Sequence, residues 1–295
     1  MNRTSFYEEI RRNKIKSYFL LVIVFLVLLS LVYTISLVAG PDYFFMILIF
    51  GTIFSIFYVL ISYNSSSKIV LASVKAIKAE QEQFKTYHNL VEGLCLASGL
   101  EKPKLYVMKD SQINAFASGK NPKEAIICVT TGALEKLTKQ ELEGVLSHEL
   151  SHIANYDIRF MSLVAVLVGL ISIISQIFLR SLFFGVGSSN RSEKNNVIYI
   201  LIALALAIIS PLIVALVQLA ISRKREYLAD SSAVKFVRSP TGLIGALQKI
   251  KQESKTNVRI PDAISPLFLV KPYNSKELFQ THPDINKRIE LLKKM

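Results

Sequence analysis

Two histidines and a glutamate lie close together in the segment HELSH, residues 148–152. On an α-helix, residues four apart point in nearly the same direction, so His148 and His152 can present their imidazoles to one ion. Glu149 projects about a quarter-turn away, where it can reach a water molecule beside that ion. This spacing predicts a hydrolytic metal site, and the alternative is an ordinary pair of surface histidines.

The residues around this segment favour the helix and the supporting sheet that such a site requires. Thr138 followed by Glu141 is typical of a capping box that starts a helix. Another helix is predicted around residues 86–98. Strand-like composition predicts a small sheet from the segments 104–108, 113–117 and 125–131. Residues 68–83 have a helical pattern, either as a separate helix at the membrane surface or as an extension of the apolar segment before them.

A third metal ligand is needed, because a catalytic zinc takes three protein ligands and leaves one position for water. His88 and His282 are candidates, and so is a carboxylate in SRKREYLAD, residues 222–230. Within that segment Glu226 can bind the ion, and Asp230 can hold a ligand histidine by its free ring N–H. The spacing alone leaves these alternatives open, together with solvated charges beside a basic cluster.

Long apolar segments dominate the rest of the chain, which is 51% hydrophobic over 295 residues. Four of them are each long enough for a bilayer core, which needs about 20 helical residues. They cover residues 17–39, 43–63, 160–184 and 197–222. A cleaved signal peptide does not explain the first segment, because its apolar core is too long and a second segment follows almost at once.

The net charge of +13 is distributed as a membrane topology predicts. Lys and Arg precede the first apolar segment and follow the second and fourth, and none separates the first two. Since positive charge stays on the cytoplasmic side, residues 1–16, 64–159 and 223–295 are predicted to be cytosolic. The absence of a soluble basic domain with interleaved aromatics argues against nucleic-acid binding. Cys95 and Cys128 have no paired spacing, which is typical of a reducing compartment.

The predicted fold class is therefore α+β: a mainly α-helical integral membrane protein with a cytosolic catalytic part that contains a small β-sheet. Residues 17–63 are predicted to form two transmembrane helices, and residues 160–222 are predicted to form a transmembrane hairpin. Whether that hairpin crosses fully or lies shallow in the bilayer is left open. The catalytic part is divided between residues 64–159, with the HELSH helix, and residues 223–295, with the third ligand.

Three motifs carry a resemblance to a known family. HELSH (148–152), SRKREYLAD (222–230) and THPDINKRI (281–289), in this order among four apolar segments, resemble the HtpX family of bacterial membrane zinc endopeptidases. That family is related to the CAAX prenyl endoproteases. The resemblance extends from the first apolar segment to the C-terminus, and it implies a zincin-like catalytic domain of the gluzincin type.

The resemblance also implies roles for individual residues. It implies one Zn²⁺ per chain bound by His148, His152 and Glu226, with Glu149 as general base and Asp230 behind a ligand histidine. His282 and Arg288 match a pair that approaches the substrate carbonyl as it becomes an oxyanion. Asn114 and Ala115, in NAFA, match the edge strand that pairs with the substrate backbone, although Asn114 can instead cap a turn. Tyr156 and Ile158 replace a commoner small residue and methionine, and no effect on the chemistry is expected.

The implied function is membrane-bound hydrolysis of internal peptide bonds in misfolded or unfolded membrane proteins at the cytoplasmic face, in quality control under stress. The alternative is a narrow processing peptidase of the CAAX prenyl-protease kind. A non-catalytic scaffold with a structural metal would not need Glu149. The implied partners are the lipid bilayer and protein substrates, without nucleic acid, and the oligomeric state is left open.

Overall fold

Helices account for most of the computed structural model, which describes residues 6–39, 41–164, 223–253 and 283–295. The named helices are α1 (Phe6–Ala39), α2 (Pro41–Ser73), α3 (Lys85–Ser98), α4 (Thr131–Lys136), α5 (Lys139–Ala154), α6 (Arg223–Val237), α7 (Thr241–Glu253) and α8 (Ile285–Leu292). Residues 157–164 are also helical, and Pro122–Glu124 form a short 3₁₀ turn. A four-stranded sheet completes the described part of the chain. The predicted combination of helices with a small sheet is confirmed.

Helices α1 and α2 pack against each other and expose large apolar side chains. Phe45 and Phe50 of α2, for example, are 70% and 67% exposed. Among the described residues, α2 is long and apolar enough to cross a membrane, and a shorter apolar stretch, Ser17–Ser30, lies in α1. Most of the predicted segments 160–184 and 197–222 falls outside the described residues.

The second apolar segment continues as helix beyond its predicted end at residue 63. Helix α2 runs to Ser73, which agrees with an extension of that segment. The prediction of helix for residues 74–83 is wrong. Lys75 adopts a left-handed backbone with φ 52°, and Ile77–Lys78 then form strand β1. Pairing with the sheet satisfies the backbone groups that a helix would otherwise have used.

The sheet has the order β1-β2-β4-β3. Strands β2 (Lys104–Met108), β3 (Ala115–Ser118) and β4 (Ile126–Thr130) correspond to the three predicted strands, with small shifts for the last two. Strand β4 is parallel to β2, and β3 is antiparallel to β4. Strand β3 is therefore an edge of the sheet, and it lies beside α5.

Helix α5, which carries the HELSH segment, packs against strand β3 and against helices α3, α6 and α7. The predicted capping box is confirmed, since the Thr138 side chain accepts from the Glu141 N–H and Glu141 accepts from the Thr138 N–H. A β-carbon added at Gly144 would lie 2.4 Å from the Leu243 backbone nitrogen, and one at Gly242 would lie 2.1 Å from the Gln140 carbonyl oxygen. These two glycines let α5 and α7 approach closely, which fixes α5 in the core.

Candidate metal centre and active site

Helices α5 and α6 bring three potential metal ligands together. His148 is 1% exposed and His152 is also buried, and their Nε2 atoms are 3.2 Å apart. The buried Glu226 of α6 places Oε2 3.6 Å from Nε2 of His148 and Oε1 3.6 Å from Nε2 of His152. One ligand atom from each residue lies within 4.8 Å of the others. The third-ligand candidate that joins the two histidines is thus Glu226.

The other ring nitrogen of each histidine faces a carboxylate. Nδ1 of His148 is 3.0 Å from Oδ1 of Asp230, and Nδ1 of His152 is 3.1 Å from Oδ2 of Asp157. A neutral imidazole that donates from Nδ1 keeps its lone pair on Nε2. Both carboxylates therefore favour the tautomer in which the two facing Nε2 atoms are free to bind a metal.

The donor set fits zinc in distance and in charge. Around a tetrahedral zinc with bonds of about 2.0–2.1 Å, neighbouring ligand atoms lie about 3.3 Å apart. The observed separations are 3.2 Å between the two imidazoles and 3.6 Å to the carboxylate. The site also attracts positive charge: burial lowers the pKa of His148, but hydrogen bonds to Asp230 and Glu226 raise it to about 9. Two imidazoles and one carboxylate are a known ligand set of catalytic zinc.

Glu149 lies beside the ligands and is buried. Burial raises the pKa of its carboxyl above the ordinary range, although His148 and His152 oppose the shift. The backbone N–H of Ala117, in strand β3, donates to this carboxylate. A carboxylate with a raised pKa is suited to accept a proton and return it, and this one adjoins the edge of the sheet.

Arg288, from helix α8, is 1% exposed. Its Nε donates to Oδ2 of Asp230 at 2.8 Å, and its Nη2 donates to Oδ1 at 2.7 Å. The guanidinium also lies 3.7 Å from Glu226 and 3.5 Å from Nδ1 of His148. The structure thus brings Arg288 to the residues that support the candidate ligands. Its predicted part at the oxyanion stays a prediction, and His282 lies outside the described residues.

Asn114 and Ala115 lie buried where strand β3 begins. The Asn114 backbone N–H donates to the Thr130 hydroxyl, and the Asn114 carbonyl accepts from the Thr130 N–H. The side-chain oxygen of Asn114 accepts from the Ala115 N–H at 3.0 Å, a local bond of the kind that capping asparagines make. Substrate contact by these two residues stays a prediction.

His88, another candidate for the third metal ligand, does not join the group formed by His148, His152 and Glu226. It lies in α3, with Nε2 2.8 Å from the Ala79 carbonyl oxygen. Asp157 was not predicted as a site residue, because the segment after the motif was expected to have no effect on the chemistry. The available signal was a carboxylate five residues beyond His152.

Comparisons with known proteins agree with this geometry. Residues 81–295 match the model of Peptidase family M48. A Protease HtpX homolog of Caldanaerobacter subterraneus subsp. tengcongensis is 42% identical over 307 residues, covering 100% of this chain and 99% of that protein. Another, of Thermoanaerobacter pseudethanolicus, is 43% identical over 299 residues with the same coverage. The crystal structure of S. mikatae Ste24p is similar with a TM-score of 0.46 at 18% identity, over 85% of this chain and 58% of that one.

The likeness to Ste24p is too distant to carry an argument, but the family model covers most of the chain. The HtpX relatives are similar along its whole length. The resemblance seen in the three motifs is confirmed. The chain belongs to peptidase family M48, with relatives of the HtpX kind, and is a metalloendopeptidase.

Proposed function

We propose that this chain is a zinc endopeptidase of the cytoplasmic membrane that hydrolyses internal peptide bonds of misfolded or unfolded membrane proteins. The observation that carries the proposal is the convergence of His148, His152 and Glu226 beside the buried carboxylate of Glu149. Three ligands and an adjacent base are what metal-assisted peptide hydrolysis requires.

In this proposal His148, His152 and Glu226 hold one zinc ion per chain. When bound, zinc supplies a Lewis acid that polarises a carbonyl and makes water more acidic. Glu149 accepts the proton of the attacking water and then passes it to the leaving amine. Its burial supports this role, because a raised pKa lets the carboxylate hold the proton between the two steps.

Asp230 and Arg288 support the ligands. Burial alone would raise the pKa of Asp230, but Arg288 and His148 hold it at about 2, so the carboxylate stays ionised. The ionised carboxylate accepts the Nδ1–H of His148 and thereby fixes the ring and its tautomer. His282, together with Arg288, is proposed to stabilise the oxyanion of the tetrahedral intermediate.

Strand β3 is proposed to orient the substrate. An extended peptide can add to a sheet edge through backbone hydrogen bonds, and β3 is an edge of the described sheet. Asn114 and Ala115 lie at its start, and Ala117 contacts the general base. A substrate paired along β3 would therefore pass beside Glu149.

The membrane is proposed to place this site at the cytoplasmic headgroups, with spans at 17–39, 43–63, 160–184 and 197–222. The exposed apolar surface of α1 and α2 supports this arrangement. His152 precedes Phe160 by eight residues, and Glu226 follows residue 222 by four. At 1.5 Å per helical residue, Glu226 would lie about 6 Å from residue 222, and the turn at Tyr156 interrupts the helix between His152 and Phe160. Such a site can receive segments of membrane proteins as they leave the bilayer, which suits quality control under stress.

The proposed sidedness can be tested by thiol labelling in intact cells. Single cysteines would replace Ser188 and Lys78 in a variant lacking Cys95 and Cys128, and Lys78 is suitable because its side chain is 71% exposed. A membrane-impermeant reagent should label position 188 and leave position 78 unlabelled until the cells are opened. Labelling of position 78 from outside would show that the topology is the reverse of the proposed one. Labelling of neither position would indicate a shallow hairpin.

The catalytic proposal is tested by Glu149→Gln in purified full-length protein, with Glu143→Gln as the matched control on the same helix. Glu149→Gln should retain zinc but lose about 10²–10⁴-fold in the rate of casein cleavage, because the amide cannot accept a proton. Glu143→Gln should cleave at the wild-type rate. Activity of Glu149→Gln within about tenfold of wild type would refute the assigned base, given that expected loss.

The substrate class is tested by comparing two kinds of substrate under the same conditions. Unfolded membrane proteins should be cleaved at several internal bonds. Prenylated peptides with a C-terminal CAAX motif should not be preferred. Cleavage confined to such peptides would instead establish the narrow processing activity.

A further inference from the structure

We propose that Asp157 is a positioning residue that orients His152 for the metal, as Asp230 does for His148. This inference rests on the proposed zinc site. Asp157 is 1% exposed, and its Oδ2 lies 3.1 Å from Nδ1 of His152. A carboxylate on the free nitrogen of a ligand histidine fixes the tautomer and makes the metal-binding nitrogen more basic.

The backbone turns sharply after α5 and brings the Asp157 side chain back to His152 on α5. Helix α5 ends at Ala154, and Tyr156 then adopts a left-handed backbone with φ 60°. That conformation is rare for a bulky residue, so other contacts must hold the turn. The Tyr156 N–H donates to the Ile153 carbonyl, and the Lys14 ammonium lies 4.4 Å from the centre of the Tyr156 ring. The turn allows a residue five positions after His152 to reach its ring.

Helix α6 contributes a cation to the same carboxylate. Nη1 of Arg225 lies 3.8 Å from Oδ1 of Asp157, and the Arg225 guanidinium lies 5.4 Å from the centre of the Phe160 ring. Arg225 directly precedes the candidate ligand Glu226. Two adjacent residues of α6 therefore reach the site. Glu226 faces His148 and His152, and Arg225 balances the charge of Asp157, the carboxylate behind His152.

A structural role is the competing explanation. Asp157 begins the helical residues 157–164, and an acidic residue at a helix start is stabilising without any metal. The two roles differ in what a substitution changes. A helix-start role affects the stability of the metal-free protein, whereas a positioning role affects the affinity for zinc. Asp157→Asn keeps the size and the accepting oxygen of the side chain and removes its charge, whose effect at a helix start is small, so a large loss of zinc affinity separates the roles.

The test measures zinc dissociation constants by chelator competition, and melting temperatures after metal removal, on full-length protein in detergent. The variants are Asp157→Asn and Asp157→Ala. The matched control is Asp110→Asn, whose carboxylate accepts only from a local backbone N–H, that of Gln112, among its described hydrogen bonds. We expect Asp157→Asn to weaken zinc binding by about 10–100-fold while the metal-free melting temperature stays near that of wild type. The control should leave both quantities unchanged.

Each outcome decides the proposal. If Asp157→Asn binds zinc within twofold of wild type, the positioning role is overturned while the proposed zinc site stands. A lower metal-free melting temperature in Asp157→Ala with unchanged zinc affinity would assign the residue to the helix start. If the wild-type protein binds no zinc, the proposed function fails and this inference fails with it. Should Asp157→Ala not fold, Asp157→Asn alone gives the answer.

Discussion

His148 and His152 each place Nδ1 against a buried carboxylate, but what holds the carboxylate differs between the two. Behind His148, Asp230 receives two hydrogen bonds from Arg288, at 2.8 and 2.7 Å. Both groups are almost fully buried, and the guanidinium also lies 3.7 Å from Glu226. We call Asp230 and Arg288 the inner arm of the site.

Behind His152, the ion pair between Asp157 and Arg225 is longer than the one between Asp230 and Arg288. Nη1 of Arg225 lies 3.8 Å from the Asp157 carboxylate, and Arg225 also contacts the ring of Phe160. We call Asp157 and Arg225 the membrane arm, because both adjoin the predicted transmembrane hairpin. Close by, Arg159 donates to the hydroxyls of Tyr18 and Tyr63, which belong to α1 and α2.

The difference indicates that the two arms have different roles. Charge-assisted, bidentate hydrogen bonds are strong and geometrically specific, so the inner arm should fix its histidine and stabilise the catalytic part. The membrane arm has a longer ion pair and continues into residues that pack on α1 and α2. We therefore expect it to contribute less to stability and to connect the metal site with the packing of the membrane helices.

Removal of the inner carboxylate should have the largest effect. Asp230→Ala leaves Arg288 buried without its main counter-ion, which should lower the free energy of unfolding by about 3–5 kcal/mol. Urea unfolding of the metal-free protein in detergent measures this loss. Asp157→Ala should lower the free energy of unfolding by clearly less in the same assay. Equal losses in the two variants would contradict the proposed difference between the arms.

A smaller effect should distinguish the two arginines. Lys cannot reproduce the two parallel hydrogen bonds of Arg288, so Arg288→Lys should cost about 1–3 kcal/mol of stability and weaken zinc binding. Arg225→Lys should cost less stability than Arg288→Lys, because the 3.8 Å ion pair of Arg225 requires a charge but no bidentate geometry. Paired unfolding and zinc-binding measurements check both expectations. A larger loss in Arg225→Lys would reverse the ranking of the arms.

The sequence predicted the parts of the site that depend on local patterns. Helical spacing placed His148 and His152 on one face, and the Thr138 capping box marked where their helix starts. The residues of strand β2 were predicted as observed, because composition and turns delimit them. Strand β1 was missed, since two residues carry no detectable alternation and depend on pairing with β2.

Spacing offered Asp230 as a support for a ligand histidine, but neither Asp157 nor the pairing of the two carboxylates with arginines could be derived from it. The bond between Arg288 and Asp230 joins residues 58 apart in the chain, so it depends on how α6 and α8 pack. The contact between Asp157 and His152 depends on the left-handed turn at Tyr156, a residue type that does not predict such a backbone. Local preferences thus placed His148 and His152 on one helix face, and tertiary packing determined which carboxylate joins them and what holds them.

We propose that one zinc ion joins α5 and α6 through His148, His152 and Glu226. This claim is tested most directly by the zinc content of purified protein after dialysis against a mild chelator, in wild type, Glu226→Gln and the control His88→Ala. Wild type and His88→Ala should each retain about one zinc per chain, and Glu226→Gln should retain almost none, since a catalytic zinc needs three protein ligands. Equal zinc content in wild type and Glu226→Gln would contradict the claim.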